Sequence, residues 1–223
     1  MKKVLLVVLF LAFATARASR ADDIYNSLGG PTAGSDSIGG GFGPLADSFS
    51  TSSTAFDLTN INVLLQGEGS GSSTITAYLL ADNPDDPNNA PFGFAAPGTT
   101  LDVIGSQAVD ATITGSQIIS FSTSLLLDPN TRYWIELTSN NGNVDWDWTG
   151  DASGTGVADE FFSSDGLGVW LSGPNSAGPW QMEVSGVVPT PEPSTIVLML
   201  VGIASLLGAA TLRKKNPSVL AAA

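Results

Sequence analysis

The 223-residue chain has no cysteine and no histidine. Disulfides are excluded, and so are thiol nucleophiles, Ser-His-Asp triads and zinc sites built from His and Cys. Positive charge is nearly as scarce. Of eight basic residues, Lys2, Lys3, Arg17 and Arg20 lie at the start and Arg213, Lys214 and Lys215 near the end. Between residues 22 and 188 only Arg132 remains, against 20 acidic residues, for a formal charge of −19. No lysine in that span means no Schiff-base or Ser-Lys chemistry. One arginine cannot neutralise a row of phosphates, so nucleic acid is excluded as a partner, and anionic lipid headgroups are disfavoured. Carboxylates are the only acid–base groups left. Such a charge keeps copies soluble and apart, and it leaves calcium as the one cofactor the composition suggests.

What the chain does have is an apolar run at each end. Met1-Lys2-Lys3 precedes an apolar region at 4–14 that is too short to span a bilayer. Small-x-small sites follow at Ala16-Arg17-Ala18 and Ser19-Arg20-Ala21. Residues 1–21 therefore read as a secretory signal peptide, with Asp22 as the mature start. Residues 196–212 carry no charge. As a helix they reach roughly 26 Å, and Ser194 and Thr195 bring the length to the ~30 Å hydrocarbon core. Arg213, Lys214 and Lys215 close the run as a basic stop, which orients the 213–223 tail to the cytoplasm. The expectation is one transmembrane helix at 196–212, with the domain on the far side of the membrane.

The segment before that helix is Val188-Pro189-Thr190-Pro191-Glu192-Pro193-Ser194. Its proline spacing favours an extended, polyproline-like spacer over 188–195. Motif, apolar helix and basic cluster in this order resemble the PEP-CTERM sorting signal of bacterial envelope proteins. The resemblance implies recognition at Pro191, Glu192 and Pro193 by an exosortase-type processing enzyme. It also implies removal of the tail, then display at the cell surface or release.

The span 22–187 is one domain's worth of chain. Residues 22–46 are rich in Gly and Ser and read as a loop-like arm. From 47 to 187, short segments alternate with period 2. Ile61, Val63 and Leu65 oppose Asn60, Asn62 and Leu64. Ile75, Ala77 and Leu79 share a face. Tyr133, Ile135 and Leu137 oppose Arg132, Trp134 and Glu136. Other strand signals fall at 47–52, 101–104, 117–121, 144–149, 168–171 and 180–187. Turn signals such as Gly67-Glu68-Gly69, Asp128-Pro129-Asn130 and Asn141-Gly142 separate them. With no helical stripe, the pattern predicts an all-β fold, an antiparallel β-sandwich of jelly-roll type.

The stretch Asp128-Pro129-Asn130-Thr131-Arg132-Tyr133-Trp134 resembles a recurring strand of secreted bacterial β-sandwiches of the choice-of-anchor type, as do Asp47-Ser48-Phe49 and Gln181-Met182-Glu183-Val184. That resemblance implies a surface-displayed sandwich and supplies no catalytic residue.

Two clusters invite a binding role. In Val144-Asp145-Trp146-Asp147-Trp148, Trp146 and Trp148 suit stacking on sugar rings, and Asp145 and Asp147 suit sugar hydroxyls. The plainer reading of the same alternation is apolar side chains inward and acids outward. The loop holding Asp82, Asp85, Asp86 and Asn88 concentrates oxygen ligands for calcium, but it fits no defined calcium motif, and a solvated acidic turn accounts for it more simply. Asp159, Glu160 and Asp165 form a further acidic group. Asp159 and Glu160 are adjacent, so in a strand they cannot face each other across a cleft as a hydrolytic pair. The expectation is a non-enzymatic exported protein with a structural or adhesive role in the envelope or exopolysaccharide matrix. Carbohydrate binding is the alternative, and a polysaccharide-active enzyme ranks third.

Overall fold

A computed structural model describes residues 21–39, 43–84, 96–151, 154–156, 161–164, 169–172 and 178–189, together with Gly202 and Ser205. The chain divides into two compact units, Met1–Val188 and Pro189–Ala223. The expected signal peptide, residues 1–21, lies outside the described residues except for Ala21.

The first unit contains twelve strands among its described residues: β1 (Asp22–Asn26), β2 (Thr32–Ser37), β3 (Leu45–Ser50), β4 (Phe56–Gly67), β5 (Ser72–Asn83), β6 (Ala96–Asp110), β7 (Ser116–Leu127), β8 (Arg132–Ser139), β9 (Val144–Thr149), β10 (Phe161–Ser164), β11 (Trp170–Ser172) and β12 (Met182–Val187). Every pairing is antiparallel. One sheet runs β1-β12-β4-β9-β2, with β7 also on β4; the other runs β11-β10-β3-β8-β5-β6. Within these, β1-β12-β4-β7 and β3-β8-β5-β6 interleave as two four-stranded sheets in jelly-roll order. The all-β sandwich expected from the sequence is what forms.

β4 organises the first sheet. β12 pairs with its residues 57–63 and β9 with 65–67, so these two strands share one edge in succession. β7 takes the other edge along nearly the full length. A bulge opposite Thr59 shifts the inward phase: Phe56 and Leu58 are buried before it, and Ile61, Val63 and Leu65 after it. From the other sheet, Ile75, Ala77, Leu79, Tyr133, Ile135 and Leu137 meet them in one continuous core. Alternation at the period of the strand is what puts them there.

The Asp128–Tyr133 corner has its own logic. Asn130 adopts φ 51°, a left-handed conformation that asparagine tolerates better than most residues. The Tyr133 hydroxyl accepts from the Asp128 amide at 2.9 Å, while Thr51 Oγ1 donates to the Asp128 carbonyl at 2.6 Å. Trp134 points to the other face of β8, where Ala46 and Leu80 bury it in a second, smaller cluster with Tyr78 and Trp170 alongside.

The span 22–46, expected as a loop-like arm, is instead largely strand. β1 adds to β12 and buries Ile24 and Tyr25, and β2 adds to β9. Its glycines hid this from the sequence, and at least one is needed there. At Gly34 a Cβ would lie 2.4 Å from the Trp148 ring.

Candidate functional site

β9 carries all four candidate sugar contacts. Val144 and Trp146 face the core, and Trp146 is fully buried. Its ring stacks on Trp180, with centroids 5.4 Å apart and planes at 18°. Its Nε1 donates to the Gln181 carbonyl at 3.1 Å. Trp146 is thus a core residue and offers no face to a ligand, which corrects the platform reading. Trp148 is half-buried over Gly34 and packs against the same core.

The acids behave differently from a solvated row. Asp145 is half-buried, and its Oδ2 accepts from Ser35 Oγ at 2.9 Å. Asp147 is fully buried, with Oδ2 accepting from Ser116 Oγ at the start of β7. The outward acid expected at 147 is therefore covered, because β7 begins against it. Oδ1 of each aspartate is buried with no hydrogen-bond partner. Burial raises the pKa of Asp147; the Ser116 hydroxyl opposes this and the charge on Asp145 adds to it. The same charge on Asp145 raises the pKa of Glu68 above its ordinary value. Of the four candidates, only Trp148 and Asp145 retain any exposure.

Of the calcium candidates, only Asp82 is described; Asp85, Asp86 and Asn88 lie outside the described residues. Asp82 Oδ1 accepts from the Trp134 indole at 2.9 Å, so one of its oxygens already serves the buried cluster. Among the described residues, no group of three or more acidic residues could hold a metal ion. The Asp159, Glu160 and Asp165 group also lies outside them.

One polar cavity of about 300 Å³ opens between Asn26, Ser27, Gly29 and Gly30 on one side and Asp151, Gly154 and Thr155 on the other. It holds a single carboxylate and no aromatic ring, so two acids do not face each other across it.

A buried carboxylate went unread in the sequence. Asp47 on β3 is fully buried, between Leu45 and Phe49 on the core face. Its Oδ1 accepts from the Ser48 amide at 2.8 Å, and its Oδ2 has no hydrogen-bond partner. Burial raises its pKa well above the ordinary value, with backbone amides of Ser48 and Trp180 opposing. The Tyr25 phenol is pushed up as well, by burial first and by Asp47 second. The signal was present: Leu45-x-Asp47-x-Phe49 puts the acid in the apolar phase.

The sorting residues Pro191, Glu192 and Pro193 and the basic stop Arg213, Lys214 and Lys215 lie outside the described residues, as does the expected membrane helix 196–212 apart from helical Gly202 and Ser205. Among the described residues, no helix is long and apolar enough to cross a membrane.

Residues 189–215 match a family model described as the PEP-CTERM protein-sorting motif. The tail is therefore a PEP-CTERM sorting motif, and it supports export, membrane association and exosortase processing. No curated protein matches the chain. Among solved structures the chain is similar to one of infectious bursal disease virus, Gx strain, at 12% identity over 86% of this chain and 51% of that one, with a TM-score of 0.29. It is also similar to one of the Gt strain, at 16% identity over 81% and 42%, with a TM-score of 0.19. The chain spans about half the length of these proteins or less. So loose a likeness bears on neither fold nor function.

Proposed function

We propose that this chain is an exported, surface-sorted, non-enzymatic β-sandwich. Its C-terminal motif directs membrane insertion and exosortase processing, and its domain serves a structural or adhesive role in the cell envelope or exopolysaccharide matrix. The observation that carries this reading is the sorting motif at 189–215, which begins two residues after β12 ends.

The chemistry of the domain supports a passive role. It has no cysteine, histidine or lysine to act as nucleophile or base. Its buried acids, Asp47 and Asp147, do not line the cavity between Asn26 and Asp151. A glycan-binding site built on β9 loses Trp146 and Asp147 to burial, so matrix contact is assigned to the surface of the domain at large.

Two measurements test the proposal. Mass spectrometry of the protein from its native host should find a C-terminus at or near 191–193. An intact terminus at Ala223 would make the tail a permanent anchor and overturn the processing step. Incubation with matrix polysaccharide should give retention without new reducing ends; release of reducing ends would make the domain an enzyme.

A further inference from the structure

Five strands sit at sheet edges among the described residues: β1, β2 and β7 in one sheet, β6 and β11 in the other. Exposed edges invite pairing with another chain, and proteins blunt them with charge, proline or brevity. β1 carries Asp22 and Asp23, β2 carries Asp36, β6 carries Pro97, Asp102 and Asp110, and β11 has three residues. β7 has none of these devices. Its 12 residues, SQIISFSTSLLL, contain no charge, no proline and no glycine. Every other strand of five residues or more carries at least one acid.

The outward positions of β7 are small or apolar. Ser116, Ser120, Ser122 and Ser124 are exposed, and Ile118 and Leu126 are 57% and 60% exposed. The register with β4 shifts at 123–124, which leaves 116–122 as a regular segment. Among the described residues that segment pairs with β4 on one side only.

We infer that the 116–122 edge of β7 is a self-association edge, on which a second copy of this chain adds its own β7 antiparallel across a two-fold axis. Charge selects the occupant. Two domains of formal charge −19 repel wherever acidic faces meet, and β7 is the one long edge along which they can approach without opposing carboxylates. A basic partner strand would find better-matched edges at β1 and β6. A two-fold pairing also joins like surface to like, so each Ile118 and each serine meets its equivalent or a near neighbour. Directly opposed residues of an antiparallel pair have Cα atoms about 4.5–5.5 Å apart, within reach of a disulfide.

The absence of cysteine makes the test clean. The pairing is probed by placing a single cysteine in the full chain, in detergent, as Ile118→Cys, Ser120→Cys or Ser122→Cys, with Ser35→Cys on β2 as the control edge. Mild oxidation should give a covalent dimer for at least one β7 position, several-fold above the control. Adding Ile118→Asp to the Ser120→Cys and Ser122→Cys chains should remove that dimer while leaving the thermal unfolding midpoint in place. The yield should rise with salt, as screening relieves the acidic repulsion. Equal yields at β7 and β2, or a dimer that survives Ile118→Asp, would overturn the inference, because contact would then come from random collision or from the tail. A yield that falls with salt would overturn it too, since it would mark a charge-matched contact elsewhere.

Discussion

Trp146 and Trp180 stack in the core with ring centroids 5.4 Å apart, although one belongs to β9 and the other to the segment entering β12. Their polar atoms are provided for: Trp146 Nε1 donates to Gln181 O and Trp180 Nε1 to Asp36 Oδ2, both at 3.1 Å. This pair ties the middle of the sheet to β2.

Trp146→Ala should therefore act as a large cavity mutation. We expect a loss of about 3–5 kcal/mol, seen as a fall in the unfolding midpoint of roughly 10 °C. Thermal unfolding followed by near-ultraviolet circular dichroism checks it. An unchanged midpoint would mean that Trp146 is not packed as described.

Asp47 sets a pH dependence whose sign can be worked out. Its folded-state pKa is raised by burial above the unfolded value. Stability from the neutral carboxyl is then fully present below about pH 4, the unfolded pKa. It is lost as pH rises through the folded pKa. Burial raises Glu136 and Asp147 in the same direction. Urea unfolding should show a more stable domain at pH 5 than at pH 8, and Asp47→Asn should flatten that difference. A domain that gains stability from pH 5 to pH 8 would refute the assignment.

Asp82 separates a structural from a calcium role. Asp82→Ala leaves the buried Trp134 N–H without its acceptor and should cost about 1–3 kcal/mol. Asp82→Asn keeps an acceptor oxygen and should cost much less. Calcium should leave the melting midpoint of the unsubstituted chain unchanged. A calcium-dependent rise that disappears in Asp82→Asn would assign Asp82 to a metal site.

Asn130 tests the corner. At φ 51° a β-branched side chain is strained, so Asn130→Val should destabilise by about 1–2 kcal/mol. Asn130→Gly should stay within about half a kcal/mol of the original chain. Chemical unfolding of both variants decides it.

The central strands were legible because they bury one face. β9 spans 144–149 as its alternation implied, and the inward residues of β4, β5 and β8 are those their period predicts. Edge strands were harder. β6 and β7 run to 15 and 12 residues where only four or five showed a strand signal, because their exposed positions mix Ser and Thr with apolar Leu101, Val103, Ile118 and Leu126, which blurs the inward–outward contrast. β10 is four residues long, too short for a period to register. The burial of Trp134 depends on Ala46, Leu80 and Trp170, distant in sequence, and no local pattern announces it. Asp147 is covered by Ser116 from 31 positions away, for the same reason. The sorting motif, by contrast, is a linear signal and was read directly.

β12 lies between β1 and β4, so the first strand of the domain and its last are neighbours. A chain made N-terminus first cannot close this sheet until residues 182–187 have been added. Until they arrive, β1 has no strand to pair with, and Ile61 and Val63 on β4 lack the neighbours Val184 and Met182. Completion of the fold thus waits for the stretch that immediately precedes the sorting motif. A chain cut short of residue 182 is left with an open seam between β1 and β4.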